Sequence, residues 1–69
     1  MESLSLVIPA HNSEKVIKAS LIDYHRFLSE GFREFEMLVV CNDCWDNTAK
    51  IVNHLSEHLP VTAIEIPQR

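Results

Sequence analysis

Two short apolar runs decide the fold: Leu4-Ser5-Leu6-Val7-Ile8, which Pro9 stops, and Met37-Leu38-Val39-Val40-Cys41 in the middle of the chain. A third run, Val61 to Ile66, contains only Thr62 and Glu65 as polar residues. Continuous apolar runs of this length are typical of strands that are buried on both faces of a parallel sheet. We therefore expect three parallel strands.

The segment between the first two runs has the spacing of an amphipathic helix. Its apolar face would consist of residues at helical intervals, namely Ile17, Ser20, Leu21, Tyr24, Phe27 and Leu28. Asn12 or Ser13 suits the N-cap of this helix, and Gly31 suits the position just after its end. We expect the neighbouring aromatic residues to belong to the core, namely Tyr24, Phe32 and Phe35.

A second helix is predicted from Asp46 to about Leu59, where Pro60 stops it. Its apolar face would consist of Thr48, Ile51, Val52, Leu55 and Leu59. Asp46 or Asn47 is the expected N-cap. The histidines of the two helices are expected to face solvent, namely His25, His54 and His58.

The element order is therefore β-α-β-α-β, and right-handed crossovers place the strands side by side in the order 3-2-1. The chain stops directly after the third strand. Residues 1–69 are therefore expected to form the incomplete first half of a larger doubly wound α/β domain. We expect strand 1 to have an open edge, through which the chain pairs with the missing C-terminal half or associates with itself.

Composition excludes several classes of protein. The 69 residues carry a net charge of −4, and their six Lys and Arg residues are scattered, so we expect no nucleic-acid partner. The apolar runs are far shorter than the roughly 20 residues of a membrane-spanning helix. Two cysteines without secretory features favour a cytoplasmic protein, or one at the cytoplasmic face of a membrane if an anchor follows downstream.

Ligands of open α/β sheets bind beyond the carboxyl ends of the strands, which here are followed by the loops 9–14 and 41–48. Neither loop contains the glycines that phosphate-binding fingerprints require. His11 and Asp43 would lie next to each other, and a carboxylate beside an imidazole suits the recognition of a nucleobase. Spacing alone does not separate this interpretation from a second one, in which Asn12, Asp43 and Asp46 are turn and capping residues.

The two loops also carry a family resemblance. Val7-Ile8-Pro9-Ala10-His11-Asn12-Ser13-Glu14 and Val40-Cys41-Asn42-Asp43-Cys44-Trp45-Asp46-Asn47-Thr48 resemble the opening of a family 2 glycosyltransferase of the GT-A fold. That family begins with a strand ending in I-P-x-Y-N-x-E and continues to a strand ending in V-D-D-G-S-x-D-x-T. The likeness runs from about residue 4 to residue 69 and implies a Rossmann-like, nucleotide-sugar-binding half-domain.

The resemblance also implies roles for individual residues. Six of them would bind the nucleotide, namely Pro9, Ala10, His11, Glu14, Cys41 and Asp43, with Cys41 contributing its backbone. His11 would replace the usual Tyr in the nucleoside pocket, and Asp43 would be the carboxylate that reads the base. Asp46 and Thr48 would shape the start of the second helix. The sequence departs from the family pattern in three ways: Asn42 replaces the first Asp, Cys44-Trp45 replaces Gly-Ser, and the loop is one residue shorter.

The family's Asp-x-Asp motif, which holds Mg²⁺ or Mn²⁺ on the sugar-nucleotide diphosphate, and its catalytic base are not present in these residues. The resemblance therefore implies the nucleotide-recognition half of an enzyme that transfers a sugar from a UDP- or GDP-sugar, inactive by itself. A non-catalytic, truncated nucleotide-binding remnant is the alternative.

Two further interpretations come from the cysteines. Cys41-Asn42-Asp43-Cys44 has the C-x-x-C spacing of a thiol redox pair, but its acidic neighbours oppose thiolate formation, and Cys41 ends an apolar strand as a small buried hydrophobe would. Together with His54 and His58, the two cysteines resemble the Cys-Cys-His-His pattern of a zinc finger, but the spacing between the Cys pair and the His pair is too short. Trp45 suits either a stacking platform or an anchor against a missing part of the domain, and we favour the anchor.

Overall fold

The computed structural model describes residues 3–66, so the termini of the predicted half-domain, residues 1–2 and 67–69, lie outside the described residues. The elements are β1 (Ser3–Ala10), α1 (Ile17–Gly31), β2 (Glu34–Asn42), α2 (Thr48–Leu55) and β3 (Val61–Ile66). The strands are parallel and lie in the order β1-β2-β3. The predicted α/β class, the strand order and the edge position of strand 1 are confirmed.

One face of the sheet forms the core together with both helices. The register places Leu6 beside Met37 and Met37 beside Val61, and side chains that are paired in this way point to the same face. The buried apolar residues form a single cluster, namely Ala10, Ile17, Leu21, Leu28, Met37, Val39, Cys41, Ala49, Val52 and Val61. Because α1 and α2 both contribute to this cluster, they lie on the same face.

The opposite face of the sheet is uncovered within residues 3–66. Val7 is 57% exposed on this face, Ile64 is 41% exposed, and Leu38 and Val40 between them are half-buried. The expectation that the strands are buried on both faces is therefore wrong for this part of the chain. Its physical reason is that both crossover helices pack on one side, which leaves the apolar residues of the other side without a layer.

The buried stripe of α1 is narrower than its spacing predicts. Ile17, Leu21 and Leu28 are buried, but Phe27 is 71% exposed and Tyr24 is 42% exposed, so the prediction that they are core residues is wrong. A helix on a flat sheet buries little beyond its central line, and Phe27 lies about a quarter-turn from that line.

The environments of the other aromatic and histidine residues follow from the same packing. Phe32 and Phe35 pack against the core as predicted. His25 is half-buried, with its ring centroid 5.5 Å from that of Phe35, so its predicted exposure is wrong. His54 and His58 are exposed as predicted.

The helix ends also differ from the predicted ones. Val16, and not Asn12 or Ser13, occupies the N-cap position of α1, and Gly31 is the last helical residue. α2 ends at Leu55, before the predicted Leu59. With 15 and 8 residues respectively, neither described helix has the length and apolar character that crossing a membrane requires.

Candidate functional site

The loops after β1 and β2 lie side by side at the carboxyl edge of the sheet. β1 and β2 are adjacent and parallel, and the last pair of their ladder joins Ala10 to Cys41. Residues 11–16 and 43–47 therefore leave the sheet at the same level. This is the edge at which open α/β sheets bind ligands.

Asn12 connects the first loop to three consecutive residues of the second. Its side-chain Oδ1 accepts hydrogen bonds from the main-chain N–H groups of Trp45 at 2.9 Å and Asp46 at 3.3 Å. Its own N–H donates to Cys44 Sγ at 3.4 Å. Asn12 has a φ of 50°, a left-handed conformation that asparagine tolerates better than most residues. The residue type therefore satisfies both the backbone conformation and the cross-loop contacts.

Glu14 and Asp46 form the second part of this cross-loop network. The N–H of Glu14 donates to Asp46 Oδ2 at 3.2 Å, and the N–H of Asn47 donates to Glu14 Oε1 at 2.8 Å. Ser13 donates its N–H to Thr48 Oγ1 at 2.7 Å. Both carboxylates therefore hold main-chain N–H groups at the starts of the two helical segments.

Thr48 and Asp46 close the network at the start of α2. The N–H and the hydroxyl of Thr48 donate to Asp46 Oδ1 at 3.0 and 2.6 Å. Desolvation acts to raise the pKa of Asp46, but the hydrogen bonds from Thr48 and Glu14 outweigh it and hold the pKa below its usual value. The carboxylate is therefore ionised at neutral pH and acts as a cap of α2, although Asn47 occupies the N-cap position.

His11 contacts the end of β2. Its Nδ1 lies 2.8 Å from the carbonyl oxygen of Asn42, and its Nε2 lies 3.5 Å from Asn12 Nδ2. Because a carbonyl oxygen only accepts, these contacts assign the Nδ1–H tautomer, which donates to Asn42 and accepts from Asn12. The ring is exposed but held on both sides.

The cysteines are part of the packing between the loops. Cys41 is 1% exposed, which confirms its interpretation as a small buried hydrophobe. Burial raises the pKa of Cys41 to about 11, and hydrogen bonding and charge repulsion involving Cys44, with smaller repulsion from Glu65 and Asp46, add to the effect. Cys44 is half-buried, and its thiol donates to the carbonyl oxygen of Ala10 at 3.6 Å. A buried thiol that stays protonated is a poor redox nucleophile.

The six residues that the resemblance implies as nucleotide ligands lie in different environments. Ala10 and Cys41 are buried, so their side chains are turned away from solvent. Glu14 is tied into the cross-loop network. Pro9 and His11 are exposed, and Asp43, like Glu14, is half-buried, but the network within residues 3–66 includes no side-chain contact of Asp43. Asp43 is half-buried with a φ of 58°, and its N–H donates to the carbonyl oxygen of Ile66 at 2.8 Å.

Sequence reasoning missed the role of the cross-loop network. The capping interpretation holds for Asp46, which accepts the N–H of Thr48. Asn12 and Asp46 also form hydrogen bonds that reach across more than 30 residues, and these are not predicted from the sequence. The sequence holds only a general signal: two polar, glycine-free loops at the ends of neighbouring strands have main-chain N–H groups that need acceptors. It does not indicate which side chains supply them.

No three His, Cys, Asp or Glu side chains within residues 3–66 come together as a metal-binding group. A groove of about 420 Å³ adjoins the network and is lined by residues 12–16 with Trp45 and Asp46. Comparison of the chain with protein-family models, curated proteins and solved structures finds no match.

Proposed function

We propose that this chain is the nucleotide-recognition part of a GT-A-like glycosyltransferase that uses a UDP- or GDP-sugar. The observation that carries the proposal is the cross-loop network. Asn12 and Glu14 match the family's first motif, and Asp46 and Thr48 match its second motif. Asp46 forms hydrogen bonds with each of the other three residues, and those with Asn12 and Glu14 cross between the loops. Residues that stand out separately in the sequence therefore form one local unit.

The backbone at Asp43 supports the likeness to the family but favours a second alignment of the loop, which has no gap. The motif V-D-D-G-S-x-D-x-T has as many positions as the segment from Val40 to Thr48 and, aligned without a gap, places its Gly at Asp43. Asp43 has a φ of 58°, in the region where glycine is favoured and where Asp is among the residues tolerated. The ungapped alignment places Asn42 at the second Asp of the motif and makes its side-chain amide a competing contact for the base.

The accessible residues suit the recognition of a nucleobase. His11 and Pro9 offer a ring and an apolar surface against which a base packs, and His11 is held in place by Asn42. Glu14 and Asp46 already accept main-chain N–H groups, so Asp43 is the carboxylate of these loops that is left for the base. A carboxylate accepts the ring N–H of uracil or guanine, whereas cytosine and adenine have no such proton when neutral.

The chemical step itself is not assigned to these residues. The cation that the resemblance implies, Mg²⁺ or Mn²⁺, would stabilise the departing diphosphate. The described residues include no group of carboxylates suited to hold it. What this chain contributes under the proposal is the binding and orientation of the nucleoside.

Calorimetric titration of the chain with UDP and GDP tests the proposal. Asp43→Ala should weaken binding about 10- to 150-fold, since a hydrogen bond to a charged group is worth about 1.5–3 kcal/mol. Asp23→Ala, which removes an exposed carboxylate on α1, is the matched control and should leave the affinity unchanged. If Asn42→Ala weakens binding and Asp43→Ala does not, the base contact belongs to Asn42. If neither nucleotide binds the unmodified chain, the proposed function is wrong.

A further inference from the structure

The groove beside the cross-loop network is lined by residues that the proposed nucleoside site does not use. Its volume of about 420 Å³ falls within the range of about 300–1,000 Å³ that is usual for small-molecule sites. His11, Pro9 and Asp43 do not line it. It is therefore a surface separate from the proposed base contacts, although both lie at the loops that follow β1 and β2.

Two apolar side chains in this groove are exposed although their backbones are fixed. Trp45 is 80% exposed, and its N–H donates to Asn12 Oδ1 at 2.9 Å. Val16 is 58% exposed, and its N–H donates to the carbonyl oxygen of Ser13 at 3.0 Å. The indole does not serve as an anchor within residues 3–66. A flat aromatic surface on a fixed backbone is pre-organised for stacking and loses little entropy on binding.

The charges of the groove disfavour a phosphate-bearing ligand and favour a neutral one. Glu14 and Asp46 line the groove as carboxylates, and Lys15 is its one cation. Asp46 Oδ1 and Oδ2 and Glu14 Oε1 accept main-chain N–H groups, which leaves Glu14 Oε2 and the Lys15 ammonium for a ligand. Free acceptors and donors beside an indole match a ring with hydroxyl groups at its edge and C–H groups on its face.

We propose that this groove binds a neutral saccharide ring, which stacks on Trp45 and forms hydroxyl contacts with Glu14 and Lys15. Val16 provides the second apolar wall. This inference rests on the proposed function, because the saccharide would then be the acceptor of the transferred sugar or part of it. The two sites lie at the ends of the same two strands, so the acceptor and the nucleotide would approach each other along the carboxyl edge of the sheet.

Trp45 is the only tryptophan of the chain, so its fluorescence reports on this groove alone. The chain is titrated with maltotriose, cellotriose and tri-N-acetylchitotriose up to about 10 mM, a weak limit for specific binding. At least one of them should change the emission in a saturable way, and UDP should not displace it. Calorimetry with the same sugar should show a loss of at least tenfold in affinity for Trp45→Ala and a several-fold loss for Val16→Ser. Phe27→Ala, which removes another exposed aromatic ring, on α1, should bind as the unmodified chain does.

The outcomes separate the two proposals. If the nucleotides bind by calorimetry and no trisaccharide affects Trp45, the groove inference is wrong and the proposed function stands. If a trisaccharide binds and the nucleotides do not, the groove inference stands as a carbohydrate site and the proposed function is wrong. If UDP displaces the bound trisaccharide competitively, the groove takes the nucleotide and the inference is overturned.

Discussion

Glu14 donates its main-chain N–H to Asp46 Oδ2 at 3.2 Å, although the two residues are 32 positions apart in the chain. The other oxygen of the same carboxylate accepts the N–H and the hydroxyl of Thr48. One ionised side chain therefore fixes the turn before α1 and the first residue of α2. Since the two loops lie at the ends of neighbouring strands, this carboxylate also fixes the shape of the carboxyl edge of the sheet.

The stability of the chain should therefore depend on the ionisation of Asp46. Its pKa is lower in the folded chain than the usual 3.8, which applies to the unfolded chain. The stabilisation is complete above the unfolded value and is lost as the pH falls through the folded pKa. Urea unfolding is measured at a series of pH values from neutral into the acid range. The urea concentration at the midpoint should fall as the pH falls, and this fall should be smaller in Asp46→Asn than in the unmodified chain. Glu57→Gln, a change on an exposed carboxylate, should keep the unmodified profile. An unchanged profile in Asp46→Asn would contradict the role of the charge.

Asn12 should be sensitive to substitution for two separable reasons. Asn12→Gly keeps the left-handed backbone but removes Oδ1 from the N–H groups of Trp45 and Asp46, which should cost about 1–3 kcal/mol of unfolding free energy. Asn12→Ala should cost about 1–2 kcal/mol more, because alanine is strained at positive φ. Asn53→Ala, at an exposed position in α2, should change stability by no more than about 0.5 kcal/mol. Equal costs at positions 12 and 53, measured by urea unfolding, would show that Asn12 does not connect the loops.

The order of elements could be predicted because it depends on local signals. The apolar runs at Leu6 and Val39, and the stop at Pro60, mark strands and boundaries without reference to the rest of the chain. The cross-loop network could not be predicted from these signals, since it depends on the distance between Asn12 and Trp45 after folding. The same holds for burial: an apolar residue at helical spacing becomes a core residue only where another layer covers it.

Replacing a side chain by alanine should affect stability differently on the two sides of α1. Leu21 is fully buried, so Leu21→Ala should cost about 2–5 kcal/mol through lost apolar burial and the cavity that remains. Phe27 is 71% exposed, so Phe27→Ala should cost less than about 1 kcal/mol although it removes a larger side chain. Urea unfolding of both variants measures the difference. If Phe27→Ala instead lowered the free energy of unfolding as much as Leu21→Ala does, Phe27 would have to be covered by another part of the protein.

We expect the chain to associate with itself through the free edge of β1, the edge that does not pair with β2. The strand carries no charged residue from Ser3 to Ala10, and uncharged edge strands are templates for pairing. Sedimentation over a concentration series should therefore show an increase in mean mass. Val7→Lys introduces a charge at an exposed apolar position of this strand and should shift the chain towards the monomer. Ile22→Lys, at an exposed position on α1, should not. Equal effects of the two variants would exclude β1 as the contact.

The two cysteines should differ in reactivity and should not act as a redox pair. Alkylation requires a thiolate that the reagent can reach. Cys41 is buried with its pKa raised to about 11, whereas Cys44 is half-buried in the loop. Iodoacetamide at about pH 8, near the usual thiol pKa, should therefore modify Cys44 first in the folded chain and both residues in urea, as mass spectrometry would show. Cys44→Ser should remove the fast phase of labelling.

Because Cys41 reacts only when the core opens, its labelling should follow unfolding, and the pair should not reduce insulin disulfides. Labelling of Cys41 ahead of Cys44, or reduction of insulin by the folded chain, would contradict the packing role of these thiols.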